Sequence, residues 1–159
     1  MQIFDASSMI YAWDNYPLGQ FPKVWNWIAK EISKNRFCIS AIAFDEVNQK
    51  TSGCGKWLRE SEIQRVAVTN EILQESLRIK DHLGIKNDQF HSSGVGENDI
   101  LIISTAKIEG IDLICDERRQ PIKPKLIAKY RMPAVCSLAT VMVECHNFLE
   151  VLKMSDETF

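Results

Sequence analysis

The sequence predicts an α/β protein built on a mostly parallel sheet, and three observations carry that prediction. Short apolar runs alternate with amphipathic stretches of helical period along the whole chain. The stretch from Gly96 to Arg119, GENDILIISTAKIEGIDLICDERR, holds a helix start, a helix, a glycine stop and a strand without interruption, which is half of a parallel crossover unit. That strand, Ile111 to Cys115, is mostly apolar along its length, as a strand covered on both faces is.

The elements follow in order. Gln2 to Phe4 is a short apolar strand ending at Asp5, and Ser7 and Ser8 stand as caps before the helical residues Met9, Ile10, Tyr11 and Trp13. Pro17, Gly19 and Pro22 break the chain between Asp14 and Pro22. Lys23 to Lys34 is an amphipathic helix with Val24, Trp25, Ile28, Ala29 and Ile32 on its apolar face. Phe37 to Ser40 is the second strand and Ala41 to Lys50 a helix. A shorter helix, Cys54 to Glu62, is separated from it by Gly53 and Gly55. Arg65 to Val68 is a brief strand or extended link. Thr69 caps a helix carrying Ile72, Leu73, Leu77 and Leu83, which stops at Gly84. A polar loop, Asp88 to Gly96, leads into the central stretch, where Gly110 is placed for a left-handed C-terminal cap. The segment QPIKPKLIAKYRMP after Arg119 reads as a surface loop with at most a short helix. Val135 to Leu138 starts a helical turn, Val141 to Val143 is a last strand and Asn147 to Met154 a last helix.

Composition sets bounds on function. The chain has 159 residues, read as a single domain over residues 1–159, with 45% hydrophobic and 25% charged residues. A formal net charge of −2 means that any phosphate contact must come from a local basic cluster. Five cysteines without C-x-x-C spacing suit free thiols in a reducing compartment. The amino terminus lacks the basic start of a signal peptide, and no run is long and apolar enough for a membrane, so a cytoplasmic protein is expected. His82, His91 and His146 have no zinc-ligand spacing, and Cys115 reads as a packing residue rather than a nucleophile.

The acids form the candidate chemistry. In parallel α/β sheets, ligands bind beyond the carboxyl ends of the strands. Asp5, Glu46, Asp99 and Glu117 each fall at a strand end or helix start. Four carboxylates cannot all ionise in one small cleft without a counter-charge. One or two magnesium or manganese ions, which prefer oxygen ligands, would resolve that conflict and supply phosphodiester hydrolysis without a protein nucleophile. The competing reading for each acid is a solvated or helix-capping carboxylate, and for Glu117 an exposed ion pair with Arg118.

These residues also resemble a known family, the PIN domain of metal-dependent ribonucleases. FDASSMI looks like its opening motif, ISAIAFDEV like its second, and ENDILIISTAKIEGIDLICDE is similar to its third and fourth motifs joined. The resemblance spans nearly the whole chain. It implies a PIN-like three-layer α/β/α fold, with Asp5, Glu46, Asp99 and Glu117 as catalytic and metal-binding residues. Ser7 would hydrogen-bond near the metal. Cys115 stands where the family usually has Thr or Ser, and Glu117 where it usually has Asp. Asp116 is adjacent, so either acid serves as the fourth ligand, with Glu117 first on spacing. YAWDNYP and the later ERR…KPK…MPAVC resemble a PIN-like bacterial subfamily known as a domain of unknown function. The resemblance further implies an RNA substrate and the toxin of a toxin–antitoxin pair or a related small RNase. An antitoxin protein and a second copy of the chain are the expected partners, docking on apolar surface of the Val24 to Ile32 helix.

Arg118, Arg119, Lys123 and Lys125 form the one dense basic run and are the candidate RNA contacts. Trp13 is either core or a base-stacking platform at the sheet edge. Two rival functions remain. A degenerate PIN fold would bind RNA or protein without cleaving, a rival that the departures at Cys115 and Glu117 keep open. A haloacid-type phosphatase needs a D-x-D motif, and Asp5-Ala6-Ser7 lacks the second acid.

Overall fold

A computed structural model describes all 159 residues. The chain runs β1 (Gln2–Phe4), α1 (Ala6–Asn15), α2 (Pro22–Ser33), β2 (Phe37–Ser40), α3 (Ala41–Lys50), α4 (Ser52–Glu60), β3 (Gln64–Val66), α5 (Asn70–His82), α6 (Glu97–Glu109) and β4 (Asp112–Ile114). A 3-10 turn at Ile127–Lys129 then precedes α7 (Met132–Cys136), β5 (Cys145–His146) and α8 (Phe148–Met154).

The five strands form one sheet in the order β3-β2-β1-β4-β5, and every pairing is parallel. Ile3 lies opposite Cys38 on one side and Leu113 on the other. The chain moves outward from β1 to β2 and β3, then returns across β1 to β4 and β5. The strand order therefore reverses between β1 and β4, the place where such sheets open a crevice at their carboxyl ends.

Successive strand residues face opposite sides of a sheet. Ile3 and Phe4, and likewise Leu113 and Ile114, are all fully buried, so both faces are covered. Helix α2 packs against β2, α3 against β2 and β3, and α6 against β4, giving the three-layer α/β/α arrangement. Trp25 sits edge-to-face between Trp13 and Trp57, with ring centroids 5.3 and 4.7 Å away. Such pairs add about 0.5–1.5 kcal/mol beyond their burial. Trp13 thus packs against the core while remaining partly buried.

Several expectations are corrected. Val24, Trp25, Ile28 and Ile32 are buried, so the apolar stripe of α2 faces the core rather than a partner. Gly53 and Gly55 lie inside α4 rather than breaking the chain; the break is Thr51, and Gly55 lets α4 approach Asn48, whose Cα lies 2.9 Å from where a Cβ would stand. The last strand is Cys145–His146, not Val141 to Val143. Val141 and Val143 are buried from a turn in which Met142 adopts φ +54°. The helical turn expected from Val135 begins earlier, at Met132. Gly84 and Gly110 do close their helices, at φ +70° and +64°. No helix is long and apolar enough to cross a membrane.

Candidate active site

The end of β1 is built from three polar residues, Asp5, Ser7 and Ser8, with Ala6 between the first two. Asp5 is the N-cap of α1, in extended backbone, a role for which Asp is as well suited as Ser. Its Oδ2 accepts the Ser7 N–H at 3.1 Å and the Ser7 hydroxyl at 2.5 Å. The Ser7 hydroxyl in turn accepts the Asp116 N–H at 3.1 Å. The Ser8 hydroxyl lies within hydrogen-bonding distance of two carbonyls, those of Asp5 (2.9 Å) and Ile114 (2.7 Å). Ser7 and Ser8 therefore tie the end of β1 to the end of β4, across the point where the strand order reverses.

The other acids arrive from helices and from the loop beyond β4. Asp99 is the third residue of α6, and its Oδ2 accepts the Gly96 N–H at 2.7 Å, closing the helix start. Glu46 lies in the second turn of α3, which packs against both α1 and α6. Its Oε1 accepts from Lys50 at 2.5 Å. Glu117 accepts the N–H of Met132, the first residue of α7, at 3.2 Å through Oε2. Asp116 accepts the N–H of Phe148, the first residue of α8, at 3.0 Å through Oδ2. Both are favourable positions for a negative charge.

One pattern unites Asp5, Glu46, Asp99 and Glu117. In each, one carboxylate oxygen is anchored and the other accepts no hydrogen bond from the protein. No fully buried polar side-chain atom lacks a partner, so these free oxygens keep at least a trace of solvent contact, although Asp5 as a residue is only 3% exposed. They are hard donors of the kind magnesium and manganese bind, and the donor set fits such an ion. As the side chains stand, no three His, Cys, Asp or Glu are gathered closely enough to grip one.

Electrostatics shows which acids feel one another. Burial raises the Asp5 carboxyl above its ordinary range, against the Ser7 hydrogen bonds, and the charge of Asp99 raises it further. Asp99 is raised by burial and by Glu46, opposed by the Gly96 N–H and by Lys50. Glu117 is pushed up to about 7, first by burial and then by the charges of Asp99 and Asp5. Asp116 is pushed up to about 6 by burial, with contributions from Asp5 and Glu150. Glu117 is thus coupled to both Asp5 and Asp99, whereas Asp116 is coupled to Asp5 and otherwise faces Glu150 and Arg119.

The basic run divides. Arg119 is engaged by Glu150 at 2.5 Å and the Cys145 carbonyl at 3.2 Å. Lys123 donates to the Ser137 hydroxyl at 2.8 Å and lies 5.7 Å from the Tyr130 ring centre. Arg118 and Lys125 are exposed. Arg118, Arg119 and Arg131 line a cleft of about 330 Å³ beside Glu117. Arg131 and Lys50 are two cations at the site that the sequence reading did not single out. The signal for Lys50 was present as its four-residue spacing from Glu46.

Comparison with known proteins follows the same lines. The family model described as "Domain of unknown function (DUF4411)" matches residues 2–159. No curated protein matches the sequence. Among solved structures, the chain is similar to VapBC2 from Rickettsia felis bound to a promoter DNA fragment, at 15% identity and a TM-score of 0.58, covering 92% of this chain and 98% of that one. It is similar to DNA-bound VapBC from Salmonella typhimurium at 17% identity and a TM-score of 0.55, covering 92% and 96%. It is also similar to PAE2754 from Pyrobaculum aerophilum at 13% identity and a TM-score of 0.58, covering 98% and 90%. The family match over residues 2–159 places the chain in the DUF4411 family, and its sheet order, its covered faces and these structural likenesses give it the PIN-like fold.

Proposed function

We propose that this protein is a divalent-metal-dependent endoribonuclease whose ions are held by Asp5, Glu46, Asp99 and Glu117, with Asp116 as the alternative fourth ligand. The observation that carries this reading is the set of four acids around the crevice between β1 and β4, each with one oxygen anchored and one without a protein partner, of which Asp5, Asp99 and Glu117 are raised by burial and by neighbouring acids. One or two magnesium or manganese ions bound there would activate water toward a phosphodiester and stabilise the leaving oxygen. The chain's own residues do the positioning. Ser7 orients Asp5, the Gly96 N–H orients Asp99, and the Met132 N–H orients Glu117, so one oxygen of each of these acids is held by the fold, and the carboxylates would draw together around an ion. Arg118 and Arg131 flank the path an RNA phosphate would take to Glu117, with Lys125, Lys123 and Arg119 further along the rim.

The likeness to the two VapBC structures supports a role as the toxin of a toxin–antitoxin pair, with a protein antitoxin as partner and a second copy of the chain as a further one. Apolar surface for such contacts lies on α5, where Leu73 and Leu77 are exposed, rather than on α2. The test is cleavage of a mixed single-stranded RNA by the purified protein with manganese, with magnesium and with EDTA, beside Asp5→Asn and Asp99→Asn. Cleavage that requires the ion and falls at least a hundredfold in both variants is expected. Cleavage that survives both substitutions, or none by the wild type with either ion, counts against the reading.

A further inference from the structure

Three of the four acids owe their anchored oxygen to a neutral main-chain N–H: Asp5 to Ser7, Asp99 to Gly96, Glu117 to Met132. Glu46 is the exception. Its single partner is a cation, the ammonium of Lys50 at 2.5 Å. Lys50 is the last residue of α3, and α3 packs against α1 and α6, whose starts carry Asp5 and Asp99. The negative charges of Asp5 and Asp99 act on the same ammonium. The Lys50 side chain is 61% exposed, so it meets the acids from the solvent side, where an ion would enter.

We propose that Lys50 is the acid site's own counter-cation, which holds Glu46 and must release it before a divalent ion can use that carboxylate. Lys50 is therefore a positioning residue that sets how tightly the site takes its ion, and the proposal rests on the metal-binding reading above. An exposed i, i+4 pair is by itself worth little, about 0.3–0.5 kcal/mol. What sets this pair apart is that the ammonium also feels the charges of Asp5 and Asp99, and that the acid it engages acts on Asp99 and has no main-chain anchor of its own.

The test is manganese binding by titration calorimetry, with no RNA present, on wild type, Lys50→Met, Lys50→Arg, Glu46→Gln and the Glu46→Gln/Lys50→Met double variant. Lys56→Met, at an exposed position of α4, controls for the loss of one positive charge at the surface. Lys50→Met is expected to tighten manganese binding about fivefold or more, the low end of ordinary coupling between two sites. Lys50→Arg stays near wild type, Lys56→Met has no effect, and the gain from Lys50→Met largely vanishes once Glu46 is Gln. Binding that appears in Lys50→Met but not in wild type also supports the proposal. Equal affinity in wild type and Lys50→Met overturns it and leaves the metal site standing, as does a gain that persists undiminished in the Glu46→Gln background. Failure of every variant to bind manganese overturns the metal reading and the role of Lys50 with it.

Discussion

Ser7 is where the two halves of the sheet meet chemically. Its hydroxyl donates to the Asp5 carboxylate and accepts from the Asp116 N–H, so one small side chain orients an acid and fixes the start of the β4 loop. Ser7→Ala should lose about 1.5–3 kcal/mol of stability in urea denaturation, the range for a hydrogen bond to a charged group. It should also weaken manganese binding. Glu117 and Asp116 carry a second prediction. Their folded-state pKa values, about 7 and about 6, are raised by burial above the ordinary carboxylate range. Folding therefore favours their protonated forms. The stability they contribute is present at acid pH and is lost as pH rises from the ordinary carboxylate range through about 7. In EDTA, the thermal midpoint of the wild type should fall across that window more steeply than that of Glu117→Gln. Manganese, which binds the ionised acids, should raise the midpoint more at pH 8 than at pH 5.5. Where three of the candidate acids would sit was legible in the sequence, because Asp5 and Glu117 follow strands and Asp99 opens a helix, whereas Glu46 lies one turn into α3. The separate positions of Asp116 and Glu117 were not. They are fixed by the starts of two different helices, at Phe148 and Met132, contacts that spacing along the chain does not encode.

At the scale of elements, the site depends on two loops that press together. Val95 donates to the Tyr130 carbonyl at 3.0 Å, and a Cβ on Gly94 would lie 2.1 Å from the Ala128 carbonyl oxygen. Gln120 ties the second loop to itself, donating to the Lys129 carbonyl at 3.1 Å and accepting the Arg131 N–H at 2.8 Å. One loop leads into Asp99, and the other joins Glu117 to Arg131. Gly94→Ala must push them apart, and overpacking of this kind typically costs about 1–3 kcal/mol. A matching loss in urea denaturation, with manganese affinity reduced because Asp99 and Glu117 move relative to each other, is the expected outcome. Elements with strong local signals were read to within a residue or two: β1, β2, α3, α5 and α6 all have clear periodicity or caps. β5 was misplaced because a two-residue strand is defined by its pairing with Leu113 and Ile114, not by propensity. Val141 and Val143 look like a strand in sequence because both are buried, yet they reach the core from a turn.

For the whole molecule, the reversal of strand order decides where chemistry gathers. A cleft of about 490 Å³ lies at the opposite, amino-terminal edge, lined by Gln2, Phe37 and Asp112 among others. There Glu31 is paired with Arg36 at 3.0 Å and Lys34 at 3.5 Å, a satisfied ion pair rather than a set of open acids. At the carboxyl edge the balance is the reverse, with acids at the centre and Arg118 and Arg131 on the rim. Replacing both arginines with Ala should weaken single-stranded RNA binding. If each meets one phosphate, it should also reduce the slope of log affinity against log salt by about 1.4. The central claim is that the four acids form one site for a divalent cation. The measurement that tests it most directly is manganese titration calorimetry on wild type and on the Asp5→Asn/Asp99→Asn double variant, at a pH above 7 where Glu117 is ionised. Binding of one or two ions by the wild type, abolished in a folded double variant, is the predicted result. The same binding in both proteins, or none in the wild type, would contradict the account.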